Sequence, residues 1–270
     1  MQLISKLIFT SVTTCSLCTV KAQYTDTASL NNTNKIHEER QPVNWNSTSV
    51  KKTFPYKSFV VPAAMIAYGF VTLRSDGLQD INSELKEEIW TEKPHDKMHI
   101  DNYLQLAPAV AVYGLNIAGI KGKNNLRDRS MIFLMSNVFL NATVFSLKKT
   151  THETRPDGSD KLSFPSGHTA EAFASAEFLR QEYKDISPWY GIAGYATAAA
   201  TGLLRMYNNK HWFGDIVAGA GVGIASTKLA YWVYPKIKTM FFKNKPINTM
   251  VMPYYQPGGT AGVSMVYHFH

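Results

Sequence analysis

Cysteine is almost absent from this sequence of 270 residues. The two that occur, Cys15 and Cys18, lie in a mostly apolar N-terminal stretch. Residues 1–22, with Lys6 before the apolar run and small residues up to Ala22, predict a secretory signal peptide. The mature chain would then contain no thiol, which excludes a disulfide framework and a catalytic cysteine. An uncleaved membrane anchor is the alternative interpretation.

Acidic residues are also scarce relative to basic ones. The chain has 28 Lys and Arg against 20 Asp and Glu, a formal net charge of +8. Such an excess suits an anionic partner: a nucleic acid, a phosphate-bearing membrane surface or a phosphorylated substrate. The basic residues are dispersed between apolar runs and form no basic arm or stripe with interleaved aromatics, so we exclude nucleic acid. No obligatory protein partner is inferred.

The middle of the chain lacks the alternation typical of strands. Residues 23–57 are polar and predict a loosely ordered lead-in. Six apolar segments follow, each closed by charges or turn residues: 58–73, 102–120, 130–147, 168–182, 186–204 and 212–234. We therefore predict an all-α fold, an antiparallel bundle of about six helices over 58–236. Residues 237–270 are predicted to form a basic tail and a short β-hairpin, with strands at 250–256 and 263–269.

Long hydrophobic runs are few, so the sequence alone leaves both a membrane-embedded bundle and a soluble bundle open. Crossing a bilayer takes about 18–20 mainly apolar residues. Three uncharged runs reach that length: 102–120, 130–147 and 186–204. The mean hydropathy of −0.17 is low for a polytopic membrane protein and keeps a soluble helical bundle as an alternative.

The charges of the loops favour a membrane-embedded bundle. The loop 121–129 is basic, whereas residues 74–101 hold eight acids against four bases. Basic loops on one side and acidic loops on the other fit the positive-inside rule. The segment 58–73 is short and contains Pro62, so we predict that it packs against the bundle or lies at the interface, while the five later segments cross or are embedded.

Three short blocks carry the candidate chemistry. They are Lys148 with Arg155-Pro156, then Pro165-Ser166-Gly167-His168, then Arg205 with His211 and Asp215. Each block alone is a weak signal, but ten specified residues in order are far beyond chance. Each block lies at a predicted helix end, and successive helices joined by short connections run antiparallel. The three blocks are therefore predicted to meet at one end of the bundle.

The residue types in these blocks suit a phosphate. Ser166 is a good N-cap, so the amides of Gly167 and His168 would face an anion at the positive end of a helix. Three cations would add charge against the equatorial oxygens of a transferring phosphoryl group. These cations are Lys148, Arg155 and Arg205.

The two histidines and the aspartate suit nucleophilic catalysis. His211 and Asp215 are four residues apart at a helix start and share a face. Asp215 can accept the Nδ1 proton of His211, which leaves Nε2 free to attack phosphorus. His168 is the candidate proton donor to the leaving oxygen.

These blocks resemble the phosphatidic acid phosphatase type 2 superfamily, which includes bacterial acid phosphatases, lipid phosphate phosphatases and vanadium haloperoxidases. The resemblance covers roughly residues 58–236. It implies His211 as nucleophile, Asp215 as its orienting partner and His168 as acid and base, with no metal or other cofactor. The family usually has Ser where this chain has Leu204, which affects fine tuning of the site and not the mechanism.

The resemblance implies a phosphatase of the bacterial envelope, at the inner membrane with its active site facing the periplasm. The expected substrate is a phosphorylated lipid: lipid A phosphate first, then phosphatidic acid, phosphatidylglycerophosphate or undecaprenyl pyrophosphate. One alternative is a soluble periplasmic acid phosphatase acting on small phosphomonoesters. Another is an inactive phosphate-binding envelope protein.

Overall fold

The computed structural model describes residues 53–92, 95–241, 249–256 and 260–267, with side chains up to 240. This part of the chain contains eight α-helices. They are α1 (Val60–Thr72), α2 (Asp76–Lys86), α3 (Asp101–Leu104), α4 (Ala107–Ile117), α5 (Leu126–Thr151), α6 (Gly167–Tyr183), α7 (Pro188–Tyr207) and α8 (Phe213–Phe241). A 3-10 turn, Tyr56–Phe59, precedes α1, and a π-helical turn, Glu87–Thr91, follows α2.

The predicted all-α bundle is confirmed, and α2 is the helix that the sequence analysis missed. Its apolar residues Leu78, Ile81 and Leu85 recur at a helical period, but polar residues surround them. A search for continuous apolar runs passes over such a segment because only one face of the helix is apolar.

The prediction of one helical segment over 102–120 was wrong. The segment forms two helices, the four-residue α3 and the eleven-residue α4, with Pro108 in the first turn of α4. Proline is favoured at this position because its missing amide has no acceptor inside the helix. The break leaves α4 too short to cross a bilayer on its own.

Two of the five segments predicted to cross or to be embedded form helices that are long and apolar enough to span a membrane. Within the described residues, α5 and α8 meet this condition. Tyr56–Thr72 qualifies only together with Asp76–Thr91, from which it is bent by 90°. The other predicted segments, α6 and α7, fall short of it.

Two C-terminal strands, β1 (Thr249–Gln256) and β2 (Thr260–Tyr267), pair antiparallel. They overlap the strands predicted at 250–256 and 263–269. The intervening residues 257–259 lie outside the described part of the chain, as do the predicted signal peptide and the lead-in up to residue 52.

The bundle is organised around α8, which contacts α1, α5 and α6. Its glycines allow the close approach of α6: a Cβ on Gly219 would lie 2.5 Å from the carbonyl oxygen of Ser166. One turn later, a Cβ on Gly223 would lie 2.1 Å from the carbonyl oxygen of Ala170. Small residues at this spacing let two helix backbones pack directly against each other.

Polar contacts fix the other neighbours of α8. The hydroxyls of Ser136 on α5 and Thr227 on α8 are 2.7 Å apart and buried. Farther along, Tyr231 donates a hydrogen bond of 2.6 Å to the buried carboxylate of Glu182 at the end of α6. These contacts set the register of α5 and α6 on α8, and with it the relative height of the helix ends.

We expect Gly223→Ala to destabilise the fold, because the new methyl group would meet backbone atoms that cannot rotate away. Overpacking of this kind costs about 1–3 kcal/mol, and this site should lie at the upper end. Thermal unfolding of the purified protein measures the loss.

Gly77→Ala is the matched control, since a Cβ there meets nothing within 4 Å. It should leave stability unchanged or raise it by up to about 1 kcal/mol through helix propensity. Equal melting temperatures for Gly223→Ala and the unsubstituted protein would show that α6 and α8 do not pack as described.

Candidate active site

The three sequence blocks meet at one end of the bundle. α5 and α7 end there, and α6 and α8 begin there. A hydrogen bond of 3.0 Å from the amide of Ser166 to the carbonyl oxygen of Asp215 joins the first turns of α6 and α8. The side chains of His211 and Asp215 are buried within this junction.

Asp215 is oriented towards His211 by two further donors. Its Oδ2 lies 3.5 Å from Nδ1 of His211, accepts a hydrogen bond of 2.5 Å from Ser163 Oγ, and accepts one of 2.9 Å from the amide of Trp212. The carboxylate is the third residue of α8 and bonds the amide just before the helix, as in a capping box. Nδ1 thus faces the carboxylate, which leaves Nε2 as the reactive atom.

Ser163 is a site residue that the sequence analysis did not identify. Its hydroxyl also lies 3.5 Å from Nδ1 of His211, so it touches both partners. It stands in the loop before α6 and belongs to none of the three blocks. No spacing or residue pattern in the sequence marks it.

The three predicted cations all reach this end of the bundle, and each is held by an oxygen partner. The ammonium group of Lys148 donates to the carbonyl oxygens of Leu162 and Ser163. In the other two pairs, Arg155 Nε donates to Asp160 Oδ1 at 2.7 Å, and Arg205 Nη1 donates to Asp101 Oδ2 at 2.5 Å. Partners of this kind fix the direction of long side chains before an anion arrives.

The start of α6 has the predicted geometry of an anion site. Ser166 is the N-cap, and its Oγ accepts from the amide of Thr169. Its hydroxyl also lies 2.9 Å from the hydroxyl of Thr169 and is buried, so the side chain of Ser166 is engaged in capping. The next two amides, of Gly167 and His168, have no acceptor inside the helix.

Packing alone does not require glycine at 167. A Cβ there would meet only Val144 Cγ1, at an ordinary 3.8 Å. A side chain would, however, obstruct an anion that approached the exposed amides of this turn. His168, the next residue, points its Nε2 at Asn102 Oδ1, 2.9 Å away.

Burial, together with neighbouring charges, lowers the pKa of both histidines of the site. Burial lowers the pKa of His211 well below 6.5, and the charges of Lys148 and Arg205 lower it further. Burial, followed by the charge of Arg205, also lowers the pKa of His168. Since a neutral imidazole is the nucleophilic form, His211 is held in the state that can attack phosphorus.

The loop between α5 and α6 is fixed by contacts with other elements. Lys210 donates a hydrogen bond of 2.6 Å to Asp157 Oδ2, and Trp212 Nε1 donates one of 2.8 Å to the carbonyl oxygen of Thr154. On the other side, Lys86 of α2 donates to the carbonyl oxygen of Pro156 at 2.9 Å. These contacts hold Arg155 beside the two histidines.

Among the described residues, no group of three or more His, Cys, Asp or Glu side chains has the arrangement of a metal site. The cationic side chains are the positive charges that the chain itself supplies here.

Comparison with known families identifies the same region. Residues 129–239 match the family model described as the PAP2 superfamily, and the match contains all three blocks from Lys148 to Asp215. The family resemblance drawn from these blocks is confirmed.

A curated relative, the lipid A 1-phosphatase of Porphyromonas gingivalis, is 36% identical over 155 residues. The match covers 57% of this chain and 35% of the relative, so the chain spans about a third of the length of that protein.

Two solved structures are also similar. LpxE of Aquifex aeolicus is 21% identical and has a TM-score of 0.43, with 56% of this chain and 95% of that one covered. A transmembrane PAP2-type phosphatidylglycerolphosphate phosphatase of Bacillus subtilis is 17% identical and has a TM-score of 0.43, with 66% and 98% covered.

We expect His211 to remain neutral below pH 6.5, the ordinary histidine pKa. Because its folded pKa lies below the unfolded value, the unfolded chain takes up a proton first as the pH falls. The stability that the neutral side chain contributes is therefore present above about pH 6.5 and is lost towards the folded pKa.

Histidine NMR measures this titration, with the signal assigned by its disappearance in His211→Gln. A midpoint at or above pH 6.5 would mean that the Asp215 carboxylate outweighs burial and the surrounding cations.

Proposed function

We propose that this chain is a phosphatase that hydrolyses the phosphate of a phosphorylated lipid through a phosphohistidine on His211. The observation that carries the proposal is the convergence, at the ends of four helices, of His211 and Asp215 with the three cations Lys148, Arg155 and Arg205. A structural histidine needs no such array, whereas a phosphoryl group with its charge spread over several oxygens does.

In the first step, Nε2 of His211 attacks phosphorus and the bond from phosphorus to the ester oxygen breaks. Asp215 accepts the hydrogen bond from Nδ1 and stabilises the positive charge that develops on the ring. His168, as the imidazolium, gives its Nε2 proton to the departing oxygen and becomes neutral, so the lipid leaves as an alcohol. The three cations, Lys148, Arg155 and Arg205, stabilise the equatorial oxygens throughout.

In the second step, water attacks the phosphohistidine. His168, now without its proton, accepts one from the water, and the nitrogen–phosphorus bond breaks. Inorganic phosphate leaves, and both histidines return to their starting protonation states. Proton transfer by a positioned side chain of this kind is worth about 10²–10⁴-fold in rate.

A lipid A phosphate is the first candidate substrate, because the curated relative named above is a lipid A 1-phosphatase. Phosphatidic acid, phosphatidylglycerophosphate and undecaprenyl pyrophosphate present the same terminal phosphate and are the other candidates. The blocks contact only phosphate, so a panel of purified lipid phosphates and water-soluble phosphomonoesters distinguishes them.

The surface of α5 supports a membrane location. Only 22% of its most apolar stretch of 18 residues is buried within the protein. Leu134, Val138 and Phe145 on this helix are exposed. A long apolar helix that the protein itself does not cover fits a lipid environment better than water. The substrate phosphate would then meet the site at the bilayer surface, where α5 ends.

We expect His211→Ala to abolish turnover of every phosphate ester in the panel, because no other group takes the phosphoryl. His168→Ala should slow steady-state turnover of alkyl phosphates by about 10²–10⁴-fold. With an aryl phosphate, whose leaving oxygen needs no proton, the variant should still release the phenol in a first turnover and retain the phosphoryl label, because hydrolysis of the phosphohistidine also needs His168. Phosphate release measures turnover of both variants, with EDTA-treated and vanadate-treated samples alongside; EDTA should leave activity intact and vanadate should inhibit. Wild-type turnover by His211→Ala would refute the phosphohistidine mechanism.

Orientation can be tested by cysteine labelling in a Cys15→Ser, Cys18→Ser background. Ser159 lies in the exposed loop before α6, and Asp185 is exposed just after that helix. With the site facing the periplasm, an impermeant maleimide should label Ser159→Cys in intact spheroplasts and Asp185→Cys only after lysis. The reverse pattern would place the site in the cytoplasm, and equal labelling of both in intact cells with a permeable outer membrane would favour the soluble periplasmic phosphatase.

A further inference from the structure

The short helix α3 touches two of the residues assigned to phosphate chemistry. Asp101 Oδ2 accepts from Arg205 Nη1 at 2.5 Å, and Asn102 Oδ1 lies 2.9 Å from His168 Nε2. Asp101 and Asn102 are adjacent in sequence but lie 104 and 66 residues from their partners. Neither belongs to the three blocks.

The pair of Asp101 and Arg205 is buried, with Asp101 1% and Arg205 8% exposed. One atom of each lacks a partner among the described residues: Oδ1 of Asp101 and Nε of Arg205. A buried donor without a partner costs about 1–3 kcal/mol, so a fold that keeps one needs a compensating reason. An anionic oxygen beside Nε would satisfy it. Asp101 then holds one edge of the guanidinium and leaves another edge for phosphate.

The contact between Asn102 and His168 determines where a proton resides. The amide oxygen of Asn102 is the atom that faces Nε2 of His168, and with this oxygen as acceptor Nε2 carries the hydrogen. The distance of 2.9 Å is also the separation at which a side chain gives a proton to a leaving oxygen. Asn102 therefore contacts, in the resting site, the ring nitrogen that transfers the proton in the proposed mechanism.

α3 is itself fixed to the helix that carries Arg205. The side chain of Asn208, at the end of α7, accepts from the amide of Met98 at 2.8 Å and donates to its carbonyl oxygen at 2.6 Å. These two hydrogen bonds anchor the segment just before α3. Asp101 and Arg205 thus sit on elements joined directly to each other, which is what a positioning contact requires.

We propose that Asp101 and Asn102 are positioning residues of the reaction, in which Asp101 fixes the guanidinium of Arg205 and Asn102 holds the Nε2–H edge of His168, from which the imidazolium transfers its proton. This inference rests on the proposed phosphatase function and adds two residues to it.

Two variants of Asp101 distinguish its role in orienting the Arg205 guanidinium from the effect of its negative charge. In Asp101→Ala the guanidinium is free to turn, and turnover should fall about 100-fold, the size expected for an ångström-scale misplacement. Asp101→Asn keeps an acceptor oxygen and should stay within about tenfold of the unsubstituted enzyme if geometry is the determinant. Equal loss in both variants would overturn the assignment of Asp101. Gln105→Ala is the control, because its amide bonds only the backbone carbonyl of Asn102.

Asn102→Ala has a signature that simple loss of structure does not reproduce. In the first turnover, release of the alcohol from an alkyl phosphate should slow by about tenfold or more while release of the phenol from an aryl phosphate stays within about threefold, because in this step only the former needs the proton of His168. Nitrogen NMR of the imidazole gives a second readout without substrate: His168 should be the Nε2-protonated tautomer in the unsubstituted protein and a mixture of tautomers in Asn102→Ala.

Two kinds of failure are distinguishable. Turnover by His211→Ala would refute the proposed function whatever the variants of α3 do. With His211→Ala inactive, an Asn102→Ala enzyme whose first turnover slows equally on alkyl and aryl phosphates, with an unchanged His168 tautomer, would overturn the inference about α3 alone.

Discussion

The close contact between the first turns of α6 and α8 determines most of the geometry of the site. The glycines of α8 let the two backbones meet, and the amide of Ser166 donates to the carbonyl oxygen of Asp215 as a result. This single junction brings the positive end of α6, with the amides of Gly167 and His168, beside the His211 and Asp215 pair. Without the close approach, the first amides of α6 and the side chain of His211 would lie on separate surfaces.

Each of the three cations around this junction is held in place by its own oxygen partner. Lys148 donates to carbonyl oxygens, Arg155 to Asp160 and Arg205 to Asp101, and each partner fixes one side of its cation. Burial, together with the charges of Lys148 and Arg205, lowers the pKa of His211 and favours its neutral form. In the proposed mechanism the same cations would also bind the phosphate, which would link recognition to reactivity.

Much of this site could be predicted from the sequence, because each of the three blocks lies at a helix end and short connections make the helices antiparallel. Lys148, Ser166, Arg205 and His211 were all predicted to lie at one end of the bundle, and the structure brings them together there. Their chemical roles remain proposals. Ser163 could not be predicted, since a lone serine in a loop has no spacing to distinguish it.

The contribution of α3 was missed for a different reason. Asp101 and Asn102 lie at the boundary of the predicted segment 102–120, and the structure begins a second helix within that segment at Ala107, with Pro108 in its first turn. A short helix turned against the end of α7 places its polar residues over the site, and no local pattern shows that contact. Likewise, α2 has its apolar residues on one face only, so its contacts beside the site through Lys86 depend on tertiary packing.

The phosphohistidine is the central claim, and trapping it by a rapid alkaline quench tests it most directly. A phosphate ester labelled in its phosphoryl group is mixed with enzyme, quenched under alkaline conditions that preserve phosphohistidine, and the labelled peptide is identified by mass spectrometry. The mechanism predicts a label on His211 that is lost in acid and is absent from His211→Ala. Labels on no residue during turnover, or on another residue, would contradict it.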